Sequence, residues 1–171
     1  MNYRTPLLTD ENYQIAFDSL SESEREKVFA SREPLVLRRA ACQFARAALA
    51  ECDDVDPRVV SALETFQAYC EGQVPFDEVR KLRDEMEELA NVAIDRANEL
   101  PIGGEDIRIF TTRLQADARA RAYTAVLATT LESDLAALAW SYSEGMEAIG
   151  IRALIAKAEL SDRILKSIWQ S

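Results

Sequence analysis

The side chains that most often do chemistry at neutral pH are nearly all absent or poorly spaced in this chain. It has no histidine, which removes Ser-His-Asp and Cys-His nucleophile pairs, the usual zinc enzymes and the usual neutral-pH proton shuttle. Cys42, Cys52 and Cys70 are odd in number and lack Cys-x-x-Cys spacing, so neither a disulfide framework nor a zinc knuckle is signalled. Their places beside helical apolar rows make them small buried side chains. Paired carboxylates such as Glu85 with Glu88, or Asp117 with Asp134, are the raw material of a dimetal helical bundle. That site class uses Glu-x-x-His pairs, so only an all-oxygen magnesium or manganese site would survive. Gly103 and Gly104 lack the spacing of a phosphate-cradling loop, and Glu105 and Asp106 follow where a phosphate would sit; the pair reads as a helix breaker. No catalytic, cofactor-binding or metal-ligating residue is assigned.

Residues suited to recognition are more plentiful. Among 171 residues, 30 Asp and Glu outnumber 20 Lys and Arg, a net charge of −10, which repels nucleic-acid backbones and anionic membranes. The asymmetry is regional, with 21 acidic and 12 basic side chains in residues 1–100 and 9 and 8 in the remainder. Two concentrations carry it: a turn with Glu51, Asp53, Asp54 and Asp56, and a helix face with Asp84, Glu85, Glu87 and Glu88. Asp53, Asp54, Asp56, Asp84, Glu85, Glu87 and Glu88 are the candidate contacts for a protein partner with a basic surface; the same pattern also describes a plain solvated face. Arg119 and Arg121 lie among alanines, where a buried guanidinium needs a partner such as Asp117 or Asp134, or else binds an anion. Trp140, Tyr142 and Trp169 stand at helical spacing, which favours core over interface anchors.

The elements that must position these residues are helical. With 48% hydrophobic and 29% charged residues the chain lies in the range of folded globular domains. Thr9 or Asp10 caps a short helix ending near Leu20, and Ser21 with Glu24 forms a capping box, giving a helical N-terminal arm over residues 1–32. In the acidic helices of residues 33–100, Pro34 opens a helix with Leu37, Ala41, Phe44, Ala48 and Cys52 on one face. Asp56-Pro57 opens the next, closed by Gly72 near Cys70. The row from Phe76 and Val79 to Ala97 and Leu100 predicts one helix of about seven turns. Residues 105–171 supply a helix with Ile107, Phe110 and Leu114, then an alanine-rich surface and a helix capped by Ser133. Gly145 and Gly150 weaken that helix, and a final segment from Leu154 through Leu165 to Trp169 is expected to dock onto the bundle. The fold expected is all-α, a single compact domain of about six to eight helices packed as antiparallel hairpins. Met1 to Asp10 lacks the apolar run of a signal peptide and no stretch is long enough to span a membrane, so a cytoplasmic protein is expected.

LVLRRAACQFARAALAEC from Leu35 to Cys52, DPRVVSALE from Asp56 to Glu64, FQAYCEGQVPFDEVR from Phe66 to Arg80, and the later ADARARAYTAVLA together resemble the all-helical immunity proteins encoded beside bacterial polymorphic toxins. A helical domain of planctomycete proteins has a similar layout. The resemblance spans about residues 33–142 and excludes the N-terminal arm. Where the family pattern carries histidines, this chain has Tyr123, Thr129 and Asp134, so no role tied to those histidines transfers. The resemblance implies a non-catalytic protein that binds and occludes a cognate toxin without a cofactor. A helical adaptor or scaffold subunit, or a small helical enzyme, are the alternatives, and the oligomeric state is left open.

Overall fold

Several helix starts are written in local chemistry. A computed structural model describes the backbone of residues 8–103 and 106–169, and side chains as far as residue 166. Eight helices occur among the described residues: α1 (Tyr13–Asp18), α2 (Glu22–Val28), α3 (Pro34–Ala50), α4 (Pro57–Cys70), α5 (Phe76–Arg80), α6 (Arg83–Glu99), α7 (Ile107–Ala128) and α8 (Asp134–Trp169). The capping box before α2 is complete, since the Glu24 amide donates to Ser21 Oγ at 3.2 Å and the Ser21 amide to Glu24 Oε2 at 2.8 Å. Proline opens α3 and α4, where its missing N–H costs nothing. Asp56 and Asp106 cap α4 and α7 by accepting the amides of Arg58 and Arg108. Gly72 closes α4 at φ +76, with the Gln73 amide reaching back to the Ala68 carbonyl at 2.9 Å, a left-handed cap that glycine adopts most cheaply.

Four expectations are corrected. The first helix starts later, with Asn12 at its cap position; Thr9 instead accepts the Asn12 amide, and Asp10 accepts the Ser133 amide at 2.8 Å. The long row from Phe76 to Leu100 is two helices, because the Leu82 amide bonds to Val79 in a tight turn and the pieces pack on different partners, α5 on α4 and α6 on α7. Neither Gly145 nor Gly150 interrupts α8. A Cβ on Gly145 would lie 3.1 Å from the Phe44 carbonyl oxygen, so this glycine serves the close approach of α3 rather than a break. Finally, the segment from Leu154 to Leu165 does not dock onto the bundle: Leu154, Leu160 and Leu165 are exposed and only Ile155 is buried beyond Ala148 among the described side chains. The Trp169 side chain and the expected contribution of Gly104 and Glu105 lie outside the described residues.

Packing explains the rest. From Ala118 to Ala128 nearly every α7 side chain is buried, and α6, α8 and α3 surround that helix. Small side chains let the axes approach closely, and the hydroxyls buried there donate to carbonyls, Thr124 to Ala120 and Ser141 to Ala125. Trp140 and Tyr142 belong to this interior. The Tyr142 hydroxyl donates to Glu24 at 2.8 Å and its ring stands edge-on to Phe44, which ties the N-terminal arm to α8.

Two buried arginines close the helix junctions. Arg38, 2% exposed, donates to the carbonyls of Leu131 at 2.6 Å and Glu132 at 2.7 Å, to Thr129 at 3.3 Å and to the Asp134 carboxylate, with its guanidinium over the Phe76 ring. It thereby satisfies carbonyls of the α7–α8 link, which lie outside both helices. Arg113, 4% exposed, does the same at the end of α6, donating to the Leu100 carbonyl at 2.9 Å, to Asn98 and to Asp117.

Candidate acidic interface

The turn between α3 and α4 ends with a carboxylate that folds onto the start of α4. Asp56 binds the Arg58 guanidinium through both oxygens at 3.1 and 2.9 Å, and that bond, ahead of the Arg58 amide, holds its carboxyl below the usual range. The Asp56 amide donates to the Tyr123 hydroxyl at 2.7 Å. Asp54 adopts φ +51, a left-handed conformation that aspartate tolerates better than most residues, and so reverses the chain. The carbonyl of Asp53 accepts Arg119 at 2.9 Å, and its exposed carboxylate stands 3.7 Å from Arg152.

On α6, residues three and four apart share a face, so Glu85, Glu88, Val92 and Arg96 run down one side of the helix. That side faces the α3–α4 turn across a groove of about 520 Å³. Asp54, Asp56 and Glu88 line it, Leu89, Val92 and Ala93 form an apolar strip, and Arg58, Arg96 and Arg119 add cations. Arg58 spans the two acidic regions, reaching Glu85 at 3.8 Å. Of the seven acids expected to meet a partner, the structure therefore gathers Asp54, Asp56 and Glu88 in the lining of one groove, with Glu85 outside the lining but joined to it through Arg58. Asp53 sits on the turn behind it, and Asp84 and Glu87 are exposed on α6 outside its lining.

The arginines are what sequence reasoning missed. Arg96 lies eight residues beyond Glu88 and four beyond Val92, and that spacing alone would have placed it on the same face. Arg119 and Arg121 pair with neither expected acid. Asp117 is taken by Arg113 and Asp134 by Arg38, while Arg121 meets the buried carboxylate of Glu144 at 3.3 Å and Arg119 turns to the Asp53 carbonyl. Both serve structural contacts, from partners that only the folded chain reveals.

Other chemistry finds little support among the described residues. Burial pushes the thiols of Cys52 and Cys70 up to about 11, which leaves them unionised near neutrality; Cys42 and Cys70 are buried and Cys52 partly so. Among the described residues no three Cys, Asp or Glu side chains converge as a metal site, and no helix is long and apolar enough to cross a membrane. A larger groove of about 640 Å³ lies between the N-terminal arm and the start of α8, but its carboxylates, Glu132 and Asp134, are already bound by Arg80 and Arg38. Comparisons with protein-family models, with curated proteins and with solved structures find no match to this chain.

Proposed function

We propose that the protein is a non-catalytic binding protein whose α4–α6 face docks a basic surface of another protein, and that this partner is a toxin it occludes. One observation carries the docking face: two acidic segments about thirty residues apart in sequence border a single groove, and on its α6 wall Val92 stands 59% exposed between the buried Leu89 and Ala93. An apolar centre ringed by charge is the usual anatomy of a protein interface, and the surrounding acids would steer a basic partner to it. The toxin as partner rests on the resemblance of residues 33–142 to immunity proteins. Occlusion is mechanical: the bound face covers the partner's active site or substrate groove and no bond changes in this chain.

The test is affinity capture from host lysate at low and high salt, with wild type beside a variant carrying Asp84→Lys, Glu85→Lys, Glu87→Lys and Glu88→Lys. A basic protein held in near-stoichiometric amount by wild type at low salt, released by salt and lost with the variant, supports the docking face. Equal capture by both sinks it. If the captured protein is an enzyme whose activity is unchanged by excess of this chain, the occlusion reading fails.

A further inference from the structure

The charges around the α4–α6 groove divide into those the fold has used and those it has left open. Asp56 and Arg58 hold each other, and Arg119 is spent on the Asp53 carbonyl. Asp54, Glu88 and Arg96 line the groove and are exposed, and their side chains make no hydrogen bond or ion pair among the described residues. Arg96 has Asp95 and Glu99 on its own helix, yet neither comes within ion-pair distance. Glu88, Val92 and Arg96 stand four residues apart, so the open wall along α6 reads acid, apolar, base at intervals of about 6 Å. Val92, in the middle, rises between the buried Leu89 and Ala93.

We infer that, given the docking face proposed above, this wall is a template for one amphipathic helix of the partner protein. That helix sets a Lys or Arg beside Glu88, an apolar side chain on Val92 and an Asp or Glu beside Arg96. The partner surface is then not uniformly basic but carries an acid at the Arg96 end, where a second base would meet a like charge. Residues four apart rise by the same distance on any α-helix, so a partner row of that spacing lies beside the α6 row in register. Two such rows side by side bring the axes to about 50°, the commonest helix packing. An extended segment fits less well: the backbone groups of α6 are bonded within the helix and offer nothing to a strand, whereas a helix brings its own backbone bonds with it.

Fluorescence anisotropy with the full chain at low ionic strength reads the template directly. The probes are labelled, stapled, alanine-rich helical peptides carrying Lys, Leu and Glu in that order or the reverse, each four residues from the next, beside a Lys, Leu and Lys peptide. Wild type is expected to bind the better of the two mixed peptides roughly threefold to tenfold more tightly than the all-basic one. Arg96→Glu should reverse that preference. Val92→Ser should weaken every peptide while thermal unfolding stays unchanged, since Val92 is exposed. A wild type that binds no peptide, or that does not favour a mixed one, overturns the template, as does a preference that Arg96→Glu leaves unchanged. A wild type that binds the all-basic peptide best, and loses it when the α6 acids are reversed, removes Arg96 from the template while the acidic docking face stands, so the two fail separately.

Discussion

The α7–α8 junction and the α4–α6 rim both concentrate charge, and they hold it in opposite ways. At the junction, Arg38 is sealed from water and spends its donors on three backbone carbonyls and one carboxylate. At the rim, Asp84, Glu85, Glu87 and Glu88 are exposed, and the contact across it, Arg58 with Glu85, is 3.8 Å long between exposed side chains. A buried charge must be matched within the fold or it destabilises it, whereas an exposed one contributes little to stability and remains available to a partner. The contrast separates the charges that build this molecule from those open to recognition.

The largest expected effect breaks the junction. Arg38→Leu leaves the carbonyls of Leu131 and Glu132 without their donor and a partly buried Asp134 without its cation, a loss of about 3–5 kcal/mol. In a chain of this length that corresponds to roughly 6–20 °C in Tm, measurable by circular dichroism. Arg38→Lys keeps the charge but not the planar fork and should recover only part of the loss. Arg113→Met ranks next, at about 2–3 kcal/mol, because its contacts to Leu100, Asn98 and Asp117 lie within α6, α7 and the link between them. If either arginine proves replaceable without cost, the junction is no different from the rim.

Sharpening the contrast from the other side, the four α6 reversals to lysine should each shift stability by no more than about 0.5 kcal/mol in urea titrations, although together they bring the net charge from −10 to −2, each reversal adding two. A large destabilisation there would show that the rim acids carry folding interactions.

The same division sets what was legible beforehand. The capping box at Ser21 and Glu24, the proline starts at Pro34 and Pro57 and the glycine stop at Gly72 are local, since each side chain acts on backbone a few residues away, and the all-helical class follows from them. Arg38 was not legible because the carbonyls it serves lie more than ninety residues along the chain. The break at Leu82 was hidden for a similar reason: the apolar row continues through it, and only the diverging partners of α5 and α6 require it. At the candidate site the acids were visible as clusters. Their gathering around one groove, and the arginines among them, depend on how α6 lies against the α3–α4 turn, which no spacing encodes.

The smallest effect tests an acid that belongs to both categories. Asp56 caps α4 and borders the groove, and its carboxyl is held below the usual range first by the Arg58 guanidinium and then by the Arg58 amide. A carboxylate whose value is lowered on folding contributes stability that is complete above the unfolded value, near 3.8, and is lost as pH falls through the lowered folded value. Asn at an N-cap accepts the same amide bond, so Asp56→Asn removes the charge and keeps the cap. The urea midpoint of wild type should exceed that of the variant at pH 7, and the two should converge as the pH falls below the carboxylate range. Because the pair is solvent-facing, half-molar salt should also narrow the difference at pH 7, while the deficit of Arg38→Leu persists. A gap between wild type and Asp56→Asn that ignores both pH and salt would place Asp56 with the buried charges of the junction and leave the rim one acid fewer.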